Sequence, residues 1–222
     1  MFVDAPARDD AEVAGVLGDA LDRGARVFDL APGVLARVAD TVTPQPVLAV
    51  VGVPRAGLDE LHAATFVVVC AEVRDPGNAG AVIRVADAAG ADAVVCCEGT
   101  VDPFNPKTVR ASAGSVLHLP VVVAGEAGEV LRTLGGYGLT RVAAVARGGT
   151  PYTELDLAAP LALVLGNEAS GVPARLHDEL DASVTIPMAG GTESLNVSTA
   201  AAVLCFEAAR RRSNLRAMED AR

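Results

Sequence analysis

Tryptophan is absent from the 222-residue sequence and only 3% of the residues are aromatic, so the 51% that are hydrophobic rest largely on small and branched aliphatics. That composition suits a soluble α/β protein whose parallel sheet is buried on both faces. No stretch of about 18 apolar residues runs without a charge or a breaker, which argues against a membrane-spanning helix. The N-terminal MFVDAPARDD has no basic start followed by an apolar run. A signal peptide is therefore not expected, and a cytoplasmic location is. Cys70, Cys96, Cys97 and Cys205 form no CxxC pair and read as reduced core thiols. His62, His118 and His177 lie far apart without ligand spacing, so no metal site is expected. The formal net charge of −10 argues against a general nucleic-acid binder. A dimer can still concentrate its arginines in one cleft while its outer surface stays acidic.

Several chemical signatures are missing too. No GxGxxG follows a first strand with an acidic residue about 20 positions later, which disfavours a nucleotide-binding oxidoreductase. No Gly-Lys-Ser/Thr marks a P-loop, and no nucleophile elbow with a nearby histidine marks a hydrolase.

What is present is an alternation. Residues 12–23 read as an amphipathic helix stopped by Gly24, followed by a strand at 26–31, a short helix opened by Pro32 and running to Val38, and a β-rich run at 46–51. Residues 53–64, rich in turn formers, read as a linker between a domain at 1–52 and another at 65–222. Beyond it, apolar strands are expected at 65–70, 93–97, 119–123, 140–145, 161–165 and 183–187. Helices are expected at about 78–89, 106–113, 126–134 and 172–180, with a long final one from about Asn196 to Arg212. This is the pattern of βα units in an open, mostly parallel sheet. The arginines at 210–212 read as a solvated helix end that opens a polar tail.

Three constellations carry polar chemistry. In DPGNAGAVIRVADAAG (75–90), a turn opens a helix, with Asn78 as its N-cap, Gly80 permitting close approach, and Arg84 six residues beyond Asn78. In LALVLGNEASGVP (161–173), a buried strand ends in Gly166 and Glu168, at the edge of the sheet where α/β proteins bind ligands. In TIPMAGGTESLNVSTAAAVLCFEAAR (185–210), Ser194, Asn196 and Ser198 cluster where a Gly-rich loop meets an Ala-rich helix suited to close helix packing. Taken singly, each also fits an ordinary loop or cap.

In this order and spacing, the three closely resemble the motifs of the SpoU branch of the SPOUT methyltransferases over roughly residues 65–212. Residues 105–121 resemble the segment between the family's first and second motifs, and residues 33–51 the end of its substrate-binding domain. The resemblance implies an α/β fold with an open parallel sheet and a C-terminal trefoil knot. A short α/β substrate-binding domain would precede it, one that in the family usually extends some tens of residues further at its start. It implies S-adenosylmethionine as methyl donor, held by Ala144, Val145, Ala146, Leu165, Gly166, Ile186, Met188 and Leu195. It implies catalytic positions at Asn78, Arg84, Glu168, Ser194 and Asn196, and a homodimer whose shared site combines Arg84 of one subunit with the cofactor loops of the other. The substrate implied is an RNA ribose 2′-hydroxyl, with ribosomal RNA ahead of transfer RNA. The competing expectation is a non-catalytic RNA-binding or assembly factor that retains the fold.

Overall fold

The computed structural model describes residues 1–39 and 43–220, with side chains through residue 214. Asp40–Val42, inside the 33–51 segment, and residues 221–222 lie outside the described residues. The chain divides into two compact units, Met1–Val53 and Pro54–Arg222.

In the first unit, β1 (Phe2–Asp4) pairs in parallel with β2 (Phe28–Leu30) and antiparallel with β3 (Val47–Leu48). Helix α1 (Ala11–Asp22) starts at Asp10, whose carboxylate accepts the amides of Glu12 and Val13, and Val13 and Leu17 bury against Val3. A short α2 (Val34–Val38) lies between β2 and β3. Strand β1 is too short for its alternation to be read from sequence.

The second unit is built on a seven-stranded sheet. Its strands are β4 (Phe66–Cys70), β5 (Ala93–Cys96), β6 (Val121–Val123), β7 (Thr140–Ala144), β8 (Thr150–Pro151), β9 (Leu161–Leu165) and β10 (Ala182–Thr185). The order across the sheet is β6-β5-β4-β9-β7-β10-β8, and every pairing is parallel. Strands β4, β5 and β9 are buried along their whole length, which is why they read as continuous apolar runs. Alternate side chains feed two cores. Phe66, Val68, Cys70, Leu161, Leu163 and Leu165 pack with α3 (Pro76–Ala88) and α6 (Val197–Asp220) on one face. Val67, Val69, Ala162 and Val164 pack on the other with α5 (Ala127–Gly136) and with Leu61 and Leu176 of two 3-10 helices, Leu58–Ala63 and Ala174–Glu179. Each fully buried leucine contributes about 1.5–3 kcal/mol relative to exposure. The cysteines are free and buried within these cores. Among the described residues no helix is long and apolar enough to cross a membrane.

Three local expectations are corrected. Asn78 is not the cap of α3: Pro76 takes the first helical position, where its missing N–H costs nothing, and Asp75 caps by accepting the Asn78 amide at 2.8 Å. The stretch 172–180 forms a 3-10 helix rather than an α-helix, since Pro173 precedes it and its six residues bury only Leu176. The arginines at 210–212 are not a solvated end. Helix α6 continues to Asp220, Arg210 and Arg211 clasp Glu207, and Arg212 donates to Thr65 Oγ1 (3.0 Å) and to the Ala159 carbonyl (2.9 Å). The Arg212 guanidinium also sits 5.2 Å from the centroid of the Phe66 ring, so Arg212 docks the helix onto the sheet, whereas Arg210 and Arg211 pair with Glu207 within α6.

Candidate active site

Helix α3 lies against α4 (Pro106–Ala111) at unusually short range. A β-carbon on Gly80 would stand 2.5 Å from both the Ala111 methyl and the Thr108 carbonyl, so glycine is required for this approach. The packing fixes the first turn of α3 and with it Asn78. Asn78 donates from Nδ2 to Glu168 Oε1 at 3.1 Å, and its Oδ1 accepts Nδ2 of Asn196 at 2.9 Å. Asn196 in turn opens α6, its Oδ1 accepting the Ser198 amide (2.9 Å) and hydroxyl (2.7 Å). Three chain segments more than a hundred residues apart in total thus meet in one polar line.

Glu168 is the acid of that line. Desolvation pushes its carboxyl up, but hydrogen bonds from Asn78, from its own amide and from the amides of Asp75 and Arg74 together hold it below the ordinary glutamate value. Its loop is shaped by Asn167, whose Oδ1 accepts the amides of Ala169 (3.0 Å) and Ser170 (3.2 Å) in an Asx turn. A β-carbon on Gly166 would fall 2.2 Å from the backbone of Gly171 and Val172, so this loop folds back on itself only with glycine there.

Beside this line, at the carboxyl ends of β7, β9 and β10, opens a cavity of about 340 Å³. All eight residues expected to hold a cofactor line it: Ala144, Val145, Ala146, Leu165, Gly166, Ile186, Met188 and Leu195. Ser194 and Glu168 line it as well, and Glu168 is the one ionisable side chain among the lining residues. The volume lies within the range of small-molecule sites. An apolar wall with a single anionic carboxylate suits a ligand that carries positive charge. Arg147 from the loop after β7 pairs with Glu193 from the loop after β10 at 3.2 Å, an exposed contact of little energetic weight.

The structure thus brings Asn78, Glu168 and Asn196 together and sets Ser194 in the cavity wall. It does not bring Arg84 to them. Arg84 is exposed on α3, outside the cavity lining, and makes no hydrogen bond or ion pair among the described residues. Six residues at the helical rise set its backbone about 9 Å along the axis from Asn78.

The family model of the SpoU rRNA Methylase family matches residues 65–206, which spans β4 through the start of α6 and every element around the cavity. The chain belongs to this family. It is 39% identical over 186 residues to the 23S rRNA (guanosine(2553)-2'-O)-methyltransferase RlmP of Bacillus subtilis (strain 168), covering 84% of this chain and 73% of that protein. It is 34% identical over 191 residues to a 23S rRNA (uridine(2479)-2'-O)-methyltransferase of Streptomyces viridochromogenes, covering 82% of this chain and 67% of that one. Among solved structures, the SpoU methyltransferase AviRb from Streptomyces viridochromogenes in complex with the cofactor AdoMet superposes with a TM-score of 0.83 at 30% identity, covering 96% of this chain and 82% of that chain.

For a SpoU methylase, the residues that the sequence does not single out include both loop-shaping and cavity-lining positions. Asn167 lies inside the second motif, and an Asn followed by Glu-Ala-Ser-Gly is the readable signal of an Asx turn. Val184, Val197, Ala200 and Leu204 also line the cavity, and nothing separates them in sequence from ordinary core positions. No group of three or more His, Cys, Asp or Glu suited to a metal ion occurs among the described residues.

Proposed function

We propose that this protein transfers a methyl group from S-adenosylmethionine to a ribose 2′-hydroxyl of ribosomal RNA. The observation that carries the reading is the cavity at the ends of β7, β9 and β10 with the Asn78–Glu168–Asn196 line on its rim. Family membership and relatives named as 23S rRNA 2'-O-methyltransferases support it. When bound, the cofactor supplies an electrophilic methyl on a positively charged sulfur. The loops at Ala144–Ala146, Leu165–Gly166, Ile186–Met188 and Leu195 are the residues that would hold it. The ionised Glu168 suits its charge.

The remaining work falls to the chain's own residues. An incoming 2′-hydroxyl must be aligned and its developing negative charge met as its proton leaves. Alignment alone supplies much of such a rate. Arg84 carries a guanidinium, which is a poor base near neutrality. It serves better as a cation that binds the adjacent phosphate and stabilises the developing alkoxide. Asn78 and Asn196 orient Glu168, and Ser194 shapes the cavity wall.

The same reading assigns a homodimer. Arg84 is exposed on α3 and lies outside the cavity of its own chain, which supports a site completed by a second copy. Helix α6 carries an outer stripe of Thr199, Val203 and the half-exposed Phe206, a surface suited to a helix of a partner. A C-terminal trefoil knot belongs to the reading too, supported by the non-sequential strand order β4-β9-β7-β10. Residues 1–52 would serve as the part of the molecule that engages substrate RNA, with 53–64 as its linker.

Two experiments test this. Calorimetric titration with S-adenosylmethionine should show binding, and no heat at millimolar cofactor would count against the assignment. Mapping of ribose methylation in cellular RNA with and without the gene should reveal a ribosomal site that disappears. An unchanged map would reject the function.

A further inference from the structure

Glu72, the second residue past β4, adopts a left-handed backbone with φ of 67°. Glycine enters that region freely, whereas a side chain makes it costly. A glutamate held there calls for a compensating interaction, and the structure supplies several. The Glu72 amide donates to Thr100 Oγ1 at 3.1 Å, and that hydroxyl donates to the Cys70 carbonyl at 2.8 Å. The Glu72 carbonyl accepts Nδ2 of Asn167 at 3.1 Å. Its carboxylate accepts Nη2 of Arg74 on one oxygen and Nη2 of Arg175 on the other, both at 2.8 Å. Its methylenes lie across Gly99, where no side chain intervenes. Three loops at the carboxyl edge of the sheet, those after β4, β5 and β9, therefore converge on one residue.

The convergence bears on Glu168. The loop after β4 presents the amides of Arg74 and Asp75 to Glu168 at 3.4 and 3.2 Å. The loop after β9 carries Glu168 itself, and the contacts from Asn167 and Arg175 to Glu72 tie that loop to the first. Arg175 also faces Glu126 at 3.8 Å, so its charge is matched within the protein and is poorly placed to grip RNA phosphate. Its role is that of a tie.

We propose that Glu72 is a positioning residue for methyl transfer, which fastens the loop after β9 to the loop after β4 so that Glu168 is held on Asn78. The inference rests on the functional reading of Glu168 and Asn78 given above. The carboxylate stays ionised at neutral pH: the hydrogen bond from Arg175 lowers its pKa most, partial desolvation opposes that, and Arg74 adds to the lowering.

The test is a double-mutant cycle in kcat with saturating cofactor and ribosomal RNA. Glu72→Gly accepts the same backbone and deletes only the tie. It should lower kcat about 10- to 100-fold, the cost of a small misplacement. Arg175→Met, which cuts the tie from its other end, should do the same. On a Glu168→Gln background, Glu72→Gly should cost almost nothing further, because residues acting through one group are not additive. In amide NMR spectra, the Arg74 and Asp75 resonances should move in Glu72→Gly while the rest of the spectrum stays dispersed. Wild-type kcat in both tie variants, losses that multiply with Glu168→Gln, or unmoved Arg74 and Asp75 amides would each overturn the positioning role. Full activity in Glu168→Gln itself would identify a different failure, that of the site reading, and would remove the inference with it.

Discussion

Arg84 has no partner in its own chain among the described residues, and this separates it from the other cations near the site. Arg74 and Arg175 are spent on Glu72, and Arg147 is paired with Glu193. An unpaired guanidinium on a rigid helix is available to developing charge on a substrate. Arg84→Ala should therefore lose methyl transfer by about 100- to 1000-fold while cofactor affinity, set by a cavity Arg84 does not line, stays near wild type. Arg84→Lys should also fail largely, because an ammonium cannot reproduce the planar fork that engages a phosphate and a hydroxyl together. A tritiated methyl-transfer assay alongside calorimetry checks both, and full activity in Arg84→Ala would remove it from the mechanism.

At the scale of elements, helix α6 carries an ion-pair cluster of its own, in which Glu207 meets Arg210 and Arg211 one turn further on. Arg210 lowers the Glu207 carboxyl most, desolvation opposes it, and Arg211 adds to the lowering, so the group is held at about 2. A folded-state value below the unfolded one, about 4.3, stabilises the protein above that pH, and the contribution fades as pH falls toward about 2. Thermal melts should show wild type above Glu207→Gln in Tm at about pH 7, with the gap closing as pH drops below about 4. A gap that persists at the acid end would mean Glu207 acts by shape alone. Most elements of this sheet were legible because β4, β5 and β9 are apolar at every position and are bounded by turn formers. What the sequence did not reveal depends on pairing that arrives from far away. The two residues of β8 are a strand only because β10 lies beside them, and Asn78 looks like a cap until Pro76 is seen to start the helix one turn earlier. In the site, the resemblance marked eight residues that line the cavity. It was silent on Glu72 and Thr100, whose importance lies in a backbone angle and in contacts between loops.

For the molecule as a whole, the exposed position of Arg84 on α3 bears on the proposed dimer. In that proposal the Arg84 of one copy would complete the site of the other. Sedimentation at micromolar protein should give about twice the chain mass of 22.5 kDa, and Phe206→Glu should shift the protein toward monomer and abolish methyl transfer with it. A fully active monomer would refute the shared site.

The strand order also sets a timetable for the chain on the ribosome. Strand β9 lies between β4 and β7, and its register joins Phe66 to Leu161, 95 positions further along the chain. Until residues 161–165 have left the exit tunnel, β4, β5 and β6 can pair with one another, but β7 and β8 have no partner strand, because β9 and β10 both come later in the chain. Such distant parallel pairings are slow to form and leave sticky intermediates behind them. The methylase is thus committed to finishing its own centre late, after most of its length has been made.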